Sequence, residues 1–124
     1  MKDKNMKYSV IYISTSPEGF EKISVGLIVV VGDNVEVRTS EKKIAVAKLL
    51  LTEKEYHYVA LAVKNYEKTI KTVGDVEYLS RYSNNMIQFS PLKTIDIAPT
   101  KESKEWIYNR YLFGRRPQEE RAFV

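Results

Sequence analysis

The fold is decided by the stretch between residues 23 and 37, which reads ISVGLIVVVGDNVEV. Its first nine residues are mostly β-branched or apolar, and such side chains pack well on a pleated surface. The segment Gly32-Asp33-Asn34 suits a short hairpin loop, because Gly, Asp and Asn tolerate the dihedral angles of tight turns. The alternating residues from Val35 to Thr39 predict a more exposed return strand. The stretch therefore predicts a buried strand, a tight turn and a second strand.

Both faces of the predicted buried strand are apolar. Strict alternation places Ile23, Val25, Leu27, Val29 and Val31 on one face. It places Ser24, Gly26, Ile28 and Val30 on the other. Because neither face is polar, we expect other elements to cover the strand on both sides. Gly26 interrupts the run and indicates a β-bulge or the close approach of another element.

Outward from this hairpin, the chain supplies further strands. The Tyr-rich segment 7–14 predicts a first strand. Segments 86–89 and 92–97 predict short strands, and Pro91 between them predicts that they pair at a sheet edge.

Three helices are predicted. The first runs from Glu41 to Leu50 after a Ser40 cap. The second runs from Glu53 to Val73 after a Thr52 capping box, with Gly74 as its stop. The third follows the Thr100 cap and runs to Phe113, with Gly114 as its stop.

The predicted fold class is α+β. We expect a small, mainly antiparallel sheet of three to five strands packed with about three helices, in the order β-β-β-α-α-β-α. At 124 residues the chain is one domain. We assign residues 1–114 to this domain and residues 115–124 to a polar, mobile tail.

The second predicted helix has a narrow apolar seam. Its members are Tyr56, Val59, Val63, Tyr66, Ile70 and Val73. Packing of this seam on the sheet is favoured, because the sheet needs a cover. The alternative is a homo-oligomer that forms through the seam of helix 56–73 or through a sheet edge.

Composition and charge exclude several classes of protein. The chain has no Cys, which excludes disulfides and thiolate metal sites. Its net charge of +4 resides at the two ends, a weak signal for nucleic acid. The N-terminal residues lack the apolar run of a signal peptide, and no apolar run is long enough to span a bilayer. We expect a cytoplasmic protein without a membrane partner.

Catalytic and metal-binding patterns are weak in this sequence. His57 is the only histidine, and we interpret it as a solvated side chain that pairs with Glu53. One His without Cys does not make a zinc site, and no phosphate-binding glycine loop is present. We expect no cofactor and favour a protein that is not an enzyme. Glu21, which precedes the buried strand, is a weak candidate for a catalytic carboxylate; a carboxylate that closes the strand end is favoured.

The strongest binding signal is a mixture of aromatic and basic residues near the C-terminus. It comprises Trp106, Tyr108, Arg110, Tyr111, Arg115 and Arg116. A second cluster comprises Tyr78, Arg81 and Tyr82. Tyr, Trp and Arg are typical of protein-binding hot spots, and the same mixture stacks single-stranded bases. The competing interpretation is that most of the C-terminal rings pack on the sheet, whereas Arg115 and Arg116 lie past the helix stop.

The first two strands also resemble a family of short bacterial and prophage proteins of unknown function. The resemblance rests on the Tyr-rich strand 8–12, on Glu21, and on Ser24-Val25-Gly26-Leu27, where the family has Asn-Val-Gly-Val. Genes of this family are often neighbours of HipA-like kinases or lie in mobile elements. The resemblance therefore implies a partner or regulator of such a kinase, or a phage protein that acts on a host factor.

Three functions are compatible with these patterns. The first is a non-enzymatic module that binds another protein through the C-terminal helix and a sheet edge. The alternative is a binder of single-stranded nucleic acid, or a nuclease, which uses the basic ends and exposed Tyr and Arg side chains. A further alternative is a sponge for a small ligand or nucleotide.

Overall fold

The computed structural model describes residues 5–16, 21–82 and 86–114, and these form an antiparallel sheet with helices on both faces. The strands are β1 (Met6–Ser14), β2 (Lys22–Val31), β3 (Asn34–Thr39), β4 (Ile87–Phe89) and β5 (Lys93–Ile95). The helices are α1 (Glu41–Ala47), α2 (Glu53–Thr69), α3 (Val73–Tyr82) and α4 (Lys101–Phe113). The predicted α+β class is confirmed.

The sheet has the order β3-β2-β1-β4, and β5 pairs with the other half of β1. Strands β4 and β5 thus share one sheet edge, on either side of Pro91, as the proline predicted. Ser90 bridges the interruption, since its Oγ accepts a hydrogen bond from the Val10 amide at 2.8 Å. The Ser90 carbonyl accepts another from the Ser9 hydroxyl at 2.5 Å. These side-chain bonds replace the ladder where proline has no N–H to donate.

A β-bulge in β2 determines which of its side chains reach each face. Ile11 pairs with Gly26 whereas Tyr12 pairs with Ser24, so Val25 is an extra residue in the ladder. Ile23 and Val25 therefore lie on the same face as Ile28 and Val30, and the strict alternation predicted above is wrong for them.

Gly26 is also a point of close approach. A Cβ at this position would lie 3.0 Å from Ile11 Cδ1 and 3.2 Å from the Arg38 carbonyl oxygen. Both interpretations of Gly26, as part of a bulge and as a close contact, are thus confirmed.

Each face of the sheet has its own hydrophobic core. Helices α1, α2 and α3 cover one face, whose core includes Ile11, Ile28, Ile44, Val59 and Val76. Helix α4 covers the other face, whose core includes Met6, Val10, Leu27, Ile107 and Leu112. The cover on both sides of β2 agrees with the apolar character of its two faces.

Helix α2 is shorter than predicted, and an additional helix, α3, follows it. Helix α2 ends at Thr69, and Ile70 has an extended backbone. The Thr72 hydroxyl accepts from the Asp75 amide, while the Asp75 carboxylate accepts from the amides of Lys71 and Thr72. This reciprocal cap starts α3, so Gly74 is helical and not a stop. The hydrogen bonds that the Asp75 carboxylate accepts from the amides of Lys71 and Thr72 hold the pKa of Asp75 below its usual value.

The apolar seam of α2 faces the sheet. Val59 and Val63 are buried, and Tyr56, Tyr66 and Val73 pack against the same core. The seam is therefore occupied within the chain, which agrees with the favoured packing on the sheet.

Candidate functional site

Tyr108 of α4 packs on the sheet and is buried, with 8% of its surface exposed. The Arg38 guanidinium lies 3.8 Å from the centre of its ring, and Arg38 also forms an ion pair with Glu105 at 2.6 Å. Beside it, the Lys104 ammonium lies 2.9 Å from the Glu36 carboxylate. These contacts attach α4 to β3, so Tyr108 is engaged within the chain.

Tyr111 of α4 stacks on Tyr8 of β1, with ring centroids 4.7 Å apart. The Tyr8 hydroxyl donates to the Tyr111 hydroxyl at 3.1 Å. Burial, together with this hydrogen bond and the neighbouring phenol, raises the pKa of Tyr8 to about 12. Arg110 opposes the shift, because a nearby positive charge favours the phenolate.

Trp106 is partly buried against the α4 core. Arg110 is exposed, and its guanidinium lies 5.7 Å from the centre of the Trp106 ring. The structure therefore brings three predicted residues of α4, Trp106, Tyr108 and Tyr111, into the core against the sheet. Arg110 is the exposed member of this set in α4, whereas Trp106 and Tyr111 are partly buried.

The C-terminal end of α4 is held by Lys43 of α1. Its ammonium contacts the Leu112 carbonyl and lies 3.2 Å from the Ser24 hydroxyl. A lysine placed on the last carbonyls of a helix also compensates the negative end of the helix dipole. Desolvation lowers the pKa of Lys43.

The second predicted cluster lies on α3, with Tyr78 63% exposed and Arg81 exposed. The side chain of Tyr82 and both Arg115 and Arg116 lie outside the described residues, as does the predicted tail at 115–124. Their predicted roles stay predictions.

Glu21 closes the connection between β1 and β2. Its carbonyl accepts from the Thr15 amide at 2.9 Å, and its carboxylate lies 3.5 Å from the Thr15 hydroxyl. Its amide donates to the Ser16 hydroxyl. These contacts hold Glu21 at the strand end mainly through its backbone, so the role of its carboxylate stays a prediction.

Five of the six large apolar side chains that the structure describes as exposed lie on α1, on α2 or in the turn between them, a region that the sequence predictions did not include; the sixth is Tyr78 of α3. Leu49 is 84% exposed, Leu61 65%, Leu50 57%, Tyr58 51% and Val46 44%. We call these five residues the apolar corner. Of the large apolar side chains that the structure describes as exposed, none belongs to α4.

Two side-chain contacts connect the helices that carry these residues. The Lys64–Glu41 ion pair at 3.4 Å places the start of α1 beside Lys64. The Lys48 ammonium, 5.7 Å from the Tyr56 ring centre, places its end beside the start of α2. The two helices therefore run in opposite directions, and Leu61 lies one turn before Lys64 on α2.

The exposure of the corner has a local cause. Helix α1 was predicted to reach Leu50 but ends at Ala47. The amides of Lys48, Leu49 and Leu50 each bond to the carbonyl three residues earlier, so the chain tightens here. The available signal was the Leu49-Leu50-Leu51 run directly before the Thr52 cap, because a helix end cannot bury three consecutive leucines on one stripe.

A cleft of about 350 Å³ lies at the start of α2 and is lined by Lys48, Leu51, Glu53, Tyr56 and His57. The His57 Nε2 atom lies 3.9 Å from the Glu53 carboxylate, and both side chains are exposed, as expected for the predicted solvated pair. Within residues 5–16, 21–82 and 86–114, no group of three His, Asp or Glu side chains is arranged to hold a metal ion.

No protein-family model, curated protein or solved structure matches this chain. The resemblance to the prophage family therefore stays a prediction. In the part of the chain that the structure describes, no helix combines the length and the apolar character that crossing a bilayer requires. The class that the fold defines is a small α+β protein with a helical layer on each face of an antiparallel sheet.

Proposed function

We propose that this chain is a protein-binding module whose partner docks on the apolar corner. The observation that carries the proposal is the exposure of Val46, Leu49, Leu50 and Leu61. Val46, Leu49 and Leu50 lie within five consecutive residues, and clusters of exposed aliphatic side chains mark interaction surfaces. The four aliphatic members of the corner neither stack on bases nor bind phosphate, so they favour a protein over a nucleic acid as the partner.

The charges around the corner indicate the chemistry of the partner. The carboxylates are engaged, because Glu41 pairs with Lys64, Glu53 lies near His57, and Glu55 accepts from the Thr52 amide. Lys42, Lys48 and Lys54 are exposed around the same surface. We therefore propose a partner segment that carries apolar side chains flanked by acidic ones. The family resemblance makes a HipA-like kinase the first candidate to examine.

The test compares the wild-type chain with a Leu49→Ser/Leu61→Ser variant as immobilised bait for the purified candidate kinase and for a bacterial lysate. The proposal expects a partner that the wild type retains, that the variant loses by at least tenfold in affinity, and that a Tyr78→Ser control retains. A partner bound equally well by all three baits contradicts docking at the corner. Loss of binding to the Tyr78→Ser control alone would place the interface on α3.

The nucleic-acid alternative is tested in parallel with single-stranded RNA and DNA in an electrophoretic shift assay at low salt. The proposal expects no shift. A shift that the corner variant retains, and that Arg110→Gln removes, would move the function to the surface of α4.

A further inference from the structure

The contact between Tyr8 and Tyr111 joins the two ends of the described chain. Tyr8 belongs to the central strand and Tyr111 to the last turn of α4, 103 positions later. The two rings are nearly parallel, with an angle of 22° between their planes, and their hydroxyl oxygens lie 3.1 Å apart. Both side chains are partly buried, so the pair is ordered by packing and still borders solvent.

We propose that this pair is an oxidative modification site, at which a one-electron oxidant of the peroxidase and hydrogen peroxide class forms a dityrosine cross-link between β1 and α4. An oxidised phenol carries its unpaired electron on the oxygen and on the ring carbons next to the C–OH carbon. Stacked rings with adjacent hydroxyls bring those carbons of Tyr8 and Tyr111 side by side. The hydrogen bond between the hydroxyls also gives the departing proton of Tyr8 an acceptor.

The reaction balances with hydrogen peroxide as the oxidant. Each phenol loses one electron and its hydroxyl proton, and one peroxide takes up both electrons and both protons to give two waters. The two radicals combine to form one bond between a Cε carbon of Tyr8 and a Cε carbon of Tyr111. The hydrogen on each bonded carbon then leaves as a proton, and each ring oxygen regains one, which restores both phenols. The chain loses two hydrogen atoms.

The cross-link would fix α4 on the sheet. Helix α4 is attached by packing, by the ion pairs to Arg38 and Glu36, and by Lys43. A covalent bond between residues so distant in sequence restricts the unfolded chain strongly. The apolar corner lies on the opposite face of the sheet, so binding there is expected to persist after cross-linking.

The test exposes dilute protein to horseradish peroxidase and hydrogen peroxide, isolates the monomer, and analyses its proteolytic peptides by mass spectrometry. The proposal expects a linked peptide pair that contains Tyr8 and Tyr111 and lacks two hydrogen atoms, together with blue dityrosine fluorescence. Tyr8→Phe and Tyr111→Phe should each lower the monomer fluorescence at least tenfold, with circular dichroism confirming that both variants are folded.

Tyr12→Phe is the matched control. Tyr12 lies on the same face of β1, but its Cα is four residues along, roughly 13 Å from the Tyr8 Cα at the rise of a strand. Its ring contacts the Lys22 ammonium, so the variant should cross-link like the wild type. The proposal would be overturned if the oxidised monomer contained no linked peptide pair of Tyr8 and Tyr111. It would also be overturned if the dityrosine fluorescence of the monomer persisted in Tyr111→Phe. Cross-linked dimers through exposed Tyr58 or Tyr78, with unmodified monomer, would overturn it as well.

Discussion

The two faces of the sheet are covered in different ways. Three helices cover one face with a mainly aliphatic core, and they leave the leucines of the apolar corner in water. A single helix covers the other face with rings, ion pairs and a lysine at its end, and its aromatic residues are engaged. The mixture of aromatic and basic residues that is most typical of a binding hot spot therefore belongs to the face on which the rings pack against the sheet. Residue type alone does not separate an interface from a core, because both use large rings.

The largest effect is expected from deleting core volume on either face. Ile107→Ala in α4 and Ile44→Ala in α1 should each destabilise the protein by about 2–5 kcal/mol, because each leaves a cavity. Urea unfolding, followed by Trp106 fluorescence for the α4 face and by far-ultraviolet circular dichroism for the whole chain, measures both.

The two probes should report one transition in both variants, since β1 and β2 contribute side chains to both cores. If fluorescence changes at a lower urea concentration than circular dichroism in Ile107→Ala, the α4 face unfolds separately and the two faces are less coupled than their shared strands imply.

A smaller effect is expected at the bulge that distributes β2 between the faces. Gly26→Ala should cost about 1–3 kcal/mol, because the added Cβ meets the Ile11 side chain and the Arg38 carbonyl. Gly74→Ala in α3 is the matched control. Its Cβ has ordinary contact at 3.6 Å from the Thr72 hydroxyl, so it should stabilise the chain by about 0.4–1 kcal/mol. Equal midpoints for the two variants in thermal unfolding would remove the packing argument for Gly26.

The sequence predicted what depends on local signals. The Ser40, Thr52 and Thr100 caps and the Gly114 stop, with φ of 67°, are all confirmed. The break after Thr69 was missed, although Thr72 and Asp75 form the same reciprocal cap, because the apolar seam continues through it to Val73. The predicted face of Ile23 and Val25 was wrong because strict alternation was applied through the bulge that Gly26 indicated.

The candidate site was harder to predict than the fold. Exposure of Leu49 depends on where α1 ends and how α2 packs beside it, and both are tertiary outcomes. Engagement of Tyr111 depends on Tyr8, which is 103 positions away. Periodicity assigns residues to the faces of an element, but it does not show which face a distant element will cover.

Loss of a helix cap should affect the two faces equally. Thr52→Ala in α2 and Thr100→Ala in α4 should each cost about 1 kcal/mol, because each removes the acceptor for one amide of the first turn. Chemical denaturation measures both. A cost at Thr100 several times that at Thr52 would show that α4 depends on its cap more than the helices of the three-helix face do.

Alkaline pH should weaken the α4 face in particular. The pKa of Tyr8 is about 12 in the folded chain and about 10 in the unfolded chain. The contribution of its neutral phenol is therefore fully present below pH 10 and is lost as the pH rises through 12. Tyr8→Phe should flatten the loss of stability with pH in this window, and ultraviolet titration should show one fewer late-ionising tyrosine. An unchanged slope would mean that the Tyr8–Tyr111 contact is not maintained in solution.

The smallest effect on stability, and the sharpest contrast between the faces, is expected from removing a corner leucine. Leu49→Ala should change the free energy of unfolding by less than about 0.5 kcal/mol, because the side chain is already 84% exposed. Leu112→Ala in α4 is the same substitution at a side chain that is 2% exposed, and it should lower the free energy of unfolding by about 2–5 kcal/mol. The effect on partner affinity should be the opposite. Leu49→Ala should lower the affinity, whereas the folded fraction of Leu112→Ala should bind the partner as the wild type does. A destabilisation above 1 kcal/mol for Leu49→Ala would show that this leucine packs within the chain in solution, and the corner would then have no apolar surface to offer a partner.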